Sequence, residues 1–283
     1  NLKNDKIGNN CSIVFTEMSK YVVKFLTGPE LNQSINYFNE LIQFVNNLDP
    51  AIKSKIKFRT KGNFSYDSKK KFSEKFSEKN PDETYITNVI SVENAVKISN
   101  KLNIPLLFIS TAGIFDGQQE IYDDWDTPNP LGVYARSKYM GERFVLENAN
   151  KSLVCRAGWM MGGGPTKDKK FIQKLMLQIK DGKQELFIVD DKDGTPTYTH
   201  DFARNVKLLI ERSKNGLYNM VCQGVTSRLE IAQELVKELE MNGDIMINEV
   251  SSDHFKKEYF APRPVSERLI NARLNKEDLD VMR

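Results

Sequence analysis

The run Ile104–Lys138 constrains this chain more than any other stretch. It reads I-P-L-L-F-I-S-T-A-G-I-F-D-G, a polar loop, then Y-A-R-S-K-Y-M-G-E. Ile104–Ile109 is apolar and unbroken by charge, the pattern of a buried parallel strand. Ser110 and Thr111 close it, which puts two hydroxyls at a carboxyl strand end, where open α/β sheets bind ligands. After T-P-N-P-L-G-V, a helix carries Tyr134 and Lys138 four positions apart and therefore on one face. An ammonium beside a phenol favours the phenolate, so the pair predicts a tyrosine whose pKa is lowered toward neutrality and which trades protons. The spacing alone is a weak signal, because Tyr66 and Lys70 share it inside the solvated stretch Y-D-S-K-K-K. What distinguishes Tyr134 is the Ser-Thr strand end 23 residues earlier and the Pro-flanked loop between.

On these residues the segment resembles the short-chain dehydrogenase/reductase superfamily, extended type. More narrowly it resembles the dTDP-4-dehydrorhamnose reductase family, whose pattern runs S-T-D-Y-V-F-D-G, then T-P-N-P-x-x-x-Y-G-x-S-K. The resemblance implies that Thr111, Tyr134 and Lys138 are the catalytic threonine, tyrosine and lysine, and that Tyr134 and Lys138 also contact the nicotinamide cofactor, NADPH or NADH. Ala112 and Gly113 depart from the pattern, where the family usually has aspartate and tyrosine facing the sugar. That departure bears on sugar preference more than on reaction class.

Composition narrows the alternatives. The chain has 283 residues, 40% hydrophobic and 28% charged, enough for one large domain or two in an ordinary globular protein. No apolar run reaches membrane-spanning length, and N-L-K-N-D-K-I-G-N-N lacks a signal-peptide core, so no membrane partner is expected. Cys11, Cys155 and Cys222 are odd in number and far apart, which predicts reduced thiols of a cytoplasmic protein and no metal site. The net charge of +3 hides a basic stretch, Lys53–Lys79, with ten basic and three acidic residues. No aromatic platform accompanies it, so it reads as a solvated surface and not as a nucleic-acid site.

Along the chain, C-S-I-V-F (11–15) suggests a strand, residues 31–48 a helix and I-K-F-R-T (56–60) a second strand, together a β-α-β unit. Residues 1–79, on their helix and on G-N-F-S-Y-D-S-K-K-K-F, weakly resemble a bacterial surface-carbohydrate transferase family. The reductase resemblance runs from residue 80 to 283. It implies an amphipathic helix over Asp82–Leu102, the catalytic strand, the Tyr134 helix, and a further buried strand in S-L-V-C-R-A-G-W-M-M. There Trp159 is a candidate substrate-pocket residue, with a core aromatic as the alternative. L-F-I-V-D-D-K-D-G-T-P-T-Y-T-H-D resembles a family loop over the substrate pocket. His200 in that loop reads as structural, beside an expected helix cap at Asp201. A helix is expected from near Ser227. A-P-R-P-V-S-E-R-L resembles the family's R-P-x-x-S-x-L, and Arg263 there suits a diphosphate or a loop-anchoring ion pair.

One expected feature is missing from the sequence. Reductases of this superfamily open with a strand, a glycine-rich turn and a helix whose backbone cradles the cofactor pyrophosphate. Neither G-x-x-G-x-x-G nor G-x-G-x-x-G occurs among the sixteen glycines, and Gly162–Gly164 reads as a turn. A natural fusion, a shortened gene and a partial chain all fit a later reductase half behind an unrelated front half; the end at D-V-M-R, before a final helix usual in the family, agrees.

The expectation is therefore an α/β protein with a partial, Rossmann-like parallel sheet lacking the glycine-rich first β-α-β unit, and a smaller C-terminal substrate-binding region. The function implied is that of a sugar-nucleotide 4-keto reductase in surface polysaccharide biosynthesis, of the dTDP-rhamnose kind. It acts on a nucleotide sugar, binds NADPH or NADH poorly, and is compatible with a homodimer. The rival readings are a surface-carbohydrate transferase and a module that binds a sugar nucleotide without turnover.

Overall fold

The structure, a computed structural model, describes residues 12–15, 56–59, 74–164 and 170–282. The first two segments are strands β1 (Ser12–Phe15) and β2 (Ile56–Arg59), paired antiparallel with Ser12 opposite Arg59. This overturns the expected β-α-β unit, whose strands run parallel: residues 16–55 are long enough to return the chain in either direction, so length does not dictate the pairing. The helix expected over residues 31–48 lies outside the described residues, as does Cys11.

From residue 74 onward the chain alternates helix and strand. Helices α1 (Glu74–Lys79) and α2 (Pro81–Tyr85) are followed by a π-helical turn, Ile86–Ile90, and helix α3 (Ser91–Leu102). Proline at the first position of α2 needs no hydrogen bond there, and Asn103 in the left-handed conformation stops α3. Strand β3 (Leu106–Thr111) starts two residues later than the apolar run, because Pro105 has no N–H to donate and the ladder opens with Leu106 N–H on Lys151 O at 2.9 Å. Helix α4 (Val133–Asn148) then leads to β4 (Ser152–Ala157), parallel to β3 in the register Leu106–Ser152 to Thr111–Ala157. Strand β5 (Trp159–Met161), helix α5 (Phe171–Lys180), and strands β6 (Glu185–Val189), β7 (Asp193–Gly194) and β8 (Pro196–Tyr198) come next. Helix α6 (Thr199–Glu211), strands β9 (Gly216–Met220) and β10 (Thr226–Ser227), helix α7 (Arg228–Glu238), and strands β11 (Met246–Val250) and β12 (Ser266–Glu267) precede the short helix α8 (Ala272–Lys276).

The order β3-β4-β9, all parallel, is the main sheet, as the apolar runs predict. Every residue of β4 is buried, and alternation sends its side chains to two different cores. Leu153, Cys155 and Ala157 pack with Phe202, Val206 and Leu209 of α6, while Val154 packs with Leu106, Phe108, Val96 and Val145 on the side of α3 and α4. Arg156 shares the face of Val154 and is 2% exposed, a charge where the pattern calls for an aliphatic residue. It is matched by Glu142 of α4, 1% exposed, with Arg156 Nη2 to Glu142 Oε1 at 2.6 Å and Nε within 3.2 Å of both carboxylate oxygens. A smaller region stands apart from this sheet in its own core: β6 and β11 pair in parallel, and Leu186 and Ile188 pack against Leu175 of α5 and Ala232 and Val236 of α7.

Two caps compare differently with expectation. Ser227 starts α7 where a helix is expected, and it caps the helix with a complete capping box to Glu230. Helix α6 starts at Thr199, so Asp201 is no cap; it is a buried acid in the first turn, favourable at a helix N-terminus, and is paired with Arg204. His200 is exposed and stacks on Tyr198 at 5.1 Å.

Removing one partner of a desolvated ion pair strands the other charge, at a cost of about 3–5 kcal/mol. Glu142→Ala is therefore expected to lower unfolding free energy by about that amount in chemical denaturation. A loss under about 1 kcal/mol, the range of surface pairs, would mean the pair does not join α4 to β4.

Candidate active site

Helix α1, the segment that follows β3, the start of α4, residues 262–264 and strand β12 meet around Tyr134. Thr111 is the last residue of β3; its Oγ1 accepts the Gly113 N–H at 3.2 Å, which leaves its own O–H to donate. The N-terminus of α4 is held by α1, since Glu78 Oε1 accepts the Val133 N–H at 2.5 Å. A carboxylate there satisfies an orphan donor and suits the helix dipole. It also fixes the turn that carries Tyr134.

Tyr134 lines a narrow cleft together with Glu74, Gly113, Arg263 and Glu267. The free space within it is about 10 Å³, room for a single water. Glu74 of α1 and Arg263 form an ion pair beside it. Among the described residues the Tyr134 hydroxyl makes no hydrogen bond. Burial, then the carboxylates of Glu74 and Glu267, push its pKa well above the ordinary tyrosine value.

This reverses the expected direction of the Tyr134 shift. Lys138 lies one turn along α4, but its Nζ donates to the Ile109 carbonyl at 2.6 Å and sits 4.2 Å from the centre of the Phe108 ring. The ammonium is directed at the strand, and the charges that act on the phenol are negative. Gly113 lines the cleft with Tyr134, and a Cβ on it would stand 3.6 Å from Thr111 Oγ1, which is how Thr111 relates to the site.

Trp159 is buried, 9% exposed, and reaches the cleft through a partner. Its indole Nε1 donates to Glu267 Oε2 at 2.5 Å. The ring lies against Gly194, where any Cβ would fall 2.4 Å from Trp159 Cε2; only glycine admits the tryptophan. On the ring rests the Arg228 guanidinium, 3.9 Å from its centre and 4.8 Å from the Phe171 ring. Burial pushes the Arg228 pKa down to about 10, opposed by the charge of Glu267. Burial likewise raises the Glu267 carboxyl, while the Trp159 hydrogen bond, Arg263 and Arg228 favour its ionised form.

Glu267, Arg228 and Glu74 are the members that sequence reasoning missed. Glu267 had a signal: with Arg263-Pro264 and Leu269 aligned on R-P-x-x-S-x-L, it stands in the place of serine. Arg228 and Glu74 had none, since each looks like a surface charge until the fold brings it here.

Tyr134 and Lys138 both lie in the first turns of α4, close to the carboxyl end of β3, with the Lys138 ammonium on the Ile109 carbonyl. No described residues fit the pyrophosphate. Gly162, Gly163 and Gly164 have φ of 106°, 89° and 74° and form a turn, as expected, but a Cβ on Gly162 would fall 2.7 Å from the Tyr198 ring, so the turn packs on β8. No described helix is long and apolar enough to cross a membrane; Cys155 is a buried thiol, and Cys222 Sγ accepts the Tyr198 N–H at 3.2 Å.

The family model of the RmlD substrate binding domain matches residues 74–283. The dTDP-4-dehydrorhamnose reductase of Mycobacterium tuberculosis is 30% identical over 194 residues, which cover 66% of this chain and 60% of that protein. Among solved structures, dTDP-4-dehydrorhamnose reductase from Yersinia enterocolitica is similar with a TM-score of 0.69 at 31% identity, over 74% of this chain and 73% of that one. The reductase from Bacillus anthracis, solved in complex with NADP, is similar with a TM-score of 0.66 at 30% identity, over 71% and 69%. The chain spans between half and two thirds of the length of the first curated relatives it matches.

A phenol held neutral predicts a simple titration. At about pH 10.5, half a unit above the ordinary tyrosine value, an unperturbed phenol is mostly ionised. The phenolate absorbance assigned to Tyr134, taken as the difference between the folded chain and Tyr134→Phe, is expected to be absent there and to appear on unfolding. Ionisation of Tyr134 below pH 10 would contradict the electrostatics described.

Proposed function

Because the chain belongs to the RmlD substrate binding domain family over residues 74–283, we propose that it binds a dTDP-linked 4-dehydro-6-deoxyhexose and serves reduction of the C4 carbonyl to an alcohol, in surface polysaccharide biosynthesis. The observation that carries this reading is a Tyr134 phenol kept neutral in a cleft that it lines with Gly113, two residues past the end of a parallel strand at Thr111. Reduction leaves a forming alkoxide that must be protonated, and a phenol kept in its acid form is able to do so. The Thr111 O–H hydrogen-bonds the carbonyl oxygen and stabilises charge as it develops. Tyr134 and, once its ammonium leaves the Ile109 carbonyl, Lys138 would hold the nicotinamide ribose of NADPH or NADH, a cofactor that supplies hydride when bound. Arg263 exchanges Glu74 for the substrate diphosphate, a geometry its guanidinium suits, and this widens the cleft for the sugar. The reading includes a cytoplasmic location and no nucleic-acid partner, and it accommodates a homodimer.

A second reading, a sugar-nucleotide-binding module without turnover, is favoured by Lys138 being engaged with Ile109 O and by the missing glycine turn. The transferase reading rests on residues 1–79, of which few are described.

Turnover separates the two. NADPH consumption with dTDP-4-dehydrorhamnose is expected from the chain at high cofactor concentration, with Tyr134→Phe lowering kcat by about 10²–10⁴-fold. Thermal stabilisation by the nucleotide sugar with no NADPH consumed would select the non-catalytic reading. Loss of the charge-assisted pyrophosphate bonds, each worth about 1.5–3 kcal/mol, implies cofactor binding weaker by several powers of ten. Isothermal titration with NADPH and NADH is expected to give weak or undetectable binding; a micromolar Kd would reveal a cofactor site in residues 1–73.

A further inference from the structure

Glu267 is the group in this site that has no counterpart in the motif around it. It is the second residue of β12, which runs parallel to β7 with Glu267 opposite Gly194. That register brings the carboxylate to the edge of the indole that Gly194 admits, and Oε2 takes the Trp159 N–H at 2.5 Å. Trp159 is itself fixed between Gly194 and Arg228, so Oε2 is anchored to a rigid donor.

The second oxygen is oriented differently. Oε1 lies toward the end of β3, 3.0 Å from where a Cβ on Gly113 would be, and that same point is 3.6 Å from Thr111 Oγ1. Among the described residues it receives no hydrogen bond, and Glu267 forms part of the cleft that Tyr134 lines. The two departures from the family pattern therefore meet in space: Gly113 has no side chain, and the carboxylate of Glu267, in place of serine, reaches the room this leaves. A carboxylate oxygen with a vacant acceptor site, beside a neutral phenol and a threonine hydroxyl, is built to accept from a hydroxyl.

We propose that Glu267 is a substrate-selecting residue, whose Oε1 accepts a hydrogen bond from a hydroxyl of the sugar ring bound between Gly113 and Tyr134. This rests on the sugar-nucleotide reading above. The nucleotide itself lies beyond this contact, so Glu267 discriminates on the sugar and not on dTDP. A ring bearing an acidic group at the same place is rejected, because two anions meet in a poorly solvated cleft.

The test is isothermal titration of the whole chain with dTDP and with dTDP-rhamnose, in the unaltered protein, Glu267→Gln and Glu267→Ser. The unaltered protein is expected to bind dTDP-rhamnose more tightly than dTDP. Each variant is expected to lose about tenfold in affinity for dTDP-rhamnose, the difference between a charge-assisted and a neutral or absent hydrogen bond, and to keep its affinity for dTDP. Unchanged dTDP-rhamnose binding in both variants would overturn the proposal. So would an equal loss for both ligands, which is what a purely structural role through Trp159 predicts. If the unaltered protein binds dTDP-rhamnose no better than dTDP, selection at the sugar fails while the nucleotide site stands. Failure to bind either ligand removes the sugar-nucleotide reading itself, and this proposal with it.

Discussion

The buried pair Arg156–Glu142 is the contact on which the arrangement depends. A fully buried strand has no natural place for a guanidinium, and β4 carries one among aliphatic neighbours. The charge is tolerable because Glu142 of α4 meets it with hydrogen bonds from Nε and Nη2. Two desolvated ions do not make the fold more stable than a well-packed apolar pair would. Their effect is on position: α4 has one rotation and one height at which Glu142 reaches Arg156, and that choice sets where Tyr134, two turns earlier, emerges. Glu78 pins the same helix at its other end. Between the two contacts the tyrosine has little freedom to wander from the end of β3.

Electrostatics inside the cleft follow from which charges the fold brings near the phenol. Lysine at four residues' distance is close in sequence and on the same face, yet its ammonium finds the Ile109 carbonyl and the Phe108 ring. Glu74 and Glu267 come from α1 and β12, far away in the chain, and line the same cleft as the phenol, where their charges act on it. A tyrosine surrounded in this way is kept as an acid. For an enzyme that must protonate an alkoxide this is the useful form, whereas a phenolate would be suited to the reverse, oxidative direction.

Much of this was legible from the residues. Ile104–Ile109, Leu153–Arg156 and Tyr134–Asn148 announce a parallel strand pair with a helix between, because uninterrupted apolar runs and a helical period survive without knowledge of the partners. The start of α7 at Ser227 is a local feature and was equally readable. What was not readable depends on long-range meetings. The direction in which β1 and β2 pair is decided across residues 16–55. The π turn at Ile86–Ile90 interrupts what reads as one uniform helix, and nothing in I-T-N-V-I marks it. Trp159 is by exposure the core aromatic the sequence allowed, and it relates to the cleft through its N–H to Glu267. Arg263 likewise anchors a loop through Glu74, at a place where exchange for a diphosphate would open the cleft.

The central claim is that the sugar of a dTDP-linked substrate lies against Tyr134 at the end of β3. A crystal structure of the chain with dTDP-rhamnose bound tests it most directly. The account predicts the sugar O4 within about 3 Å of both the Tyr134 hydroxyl and Thr111 Oγ1, with the Arg263–Glu74 pair opened. A nucleotide sugar bound elsewhere, with that ion pair intact and the cleft still closed, would contradict it.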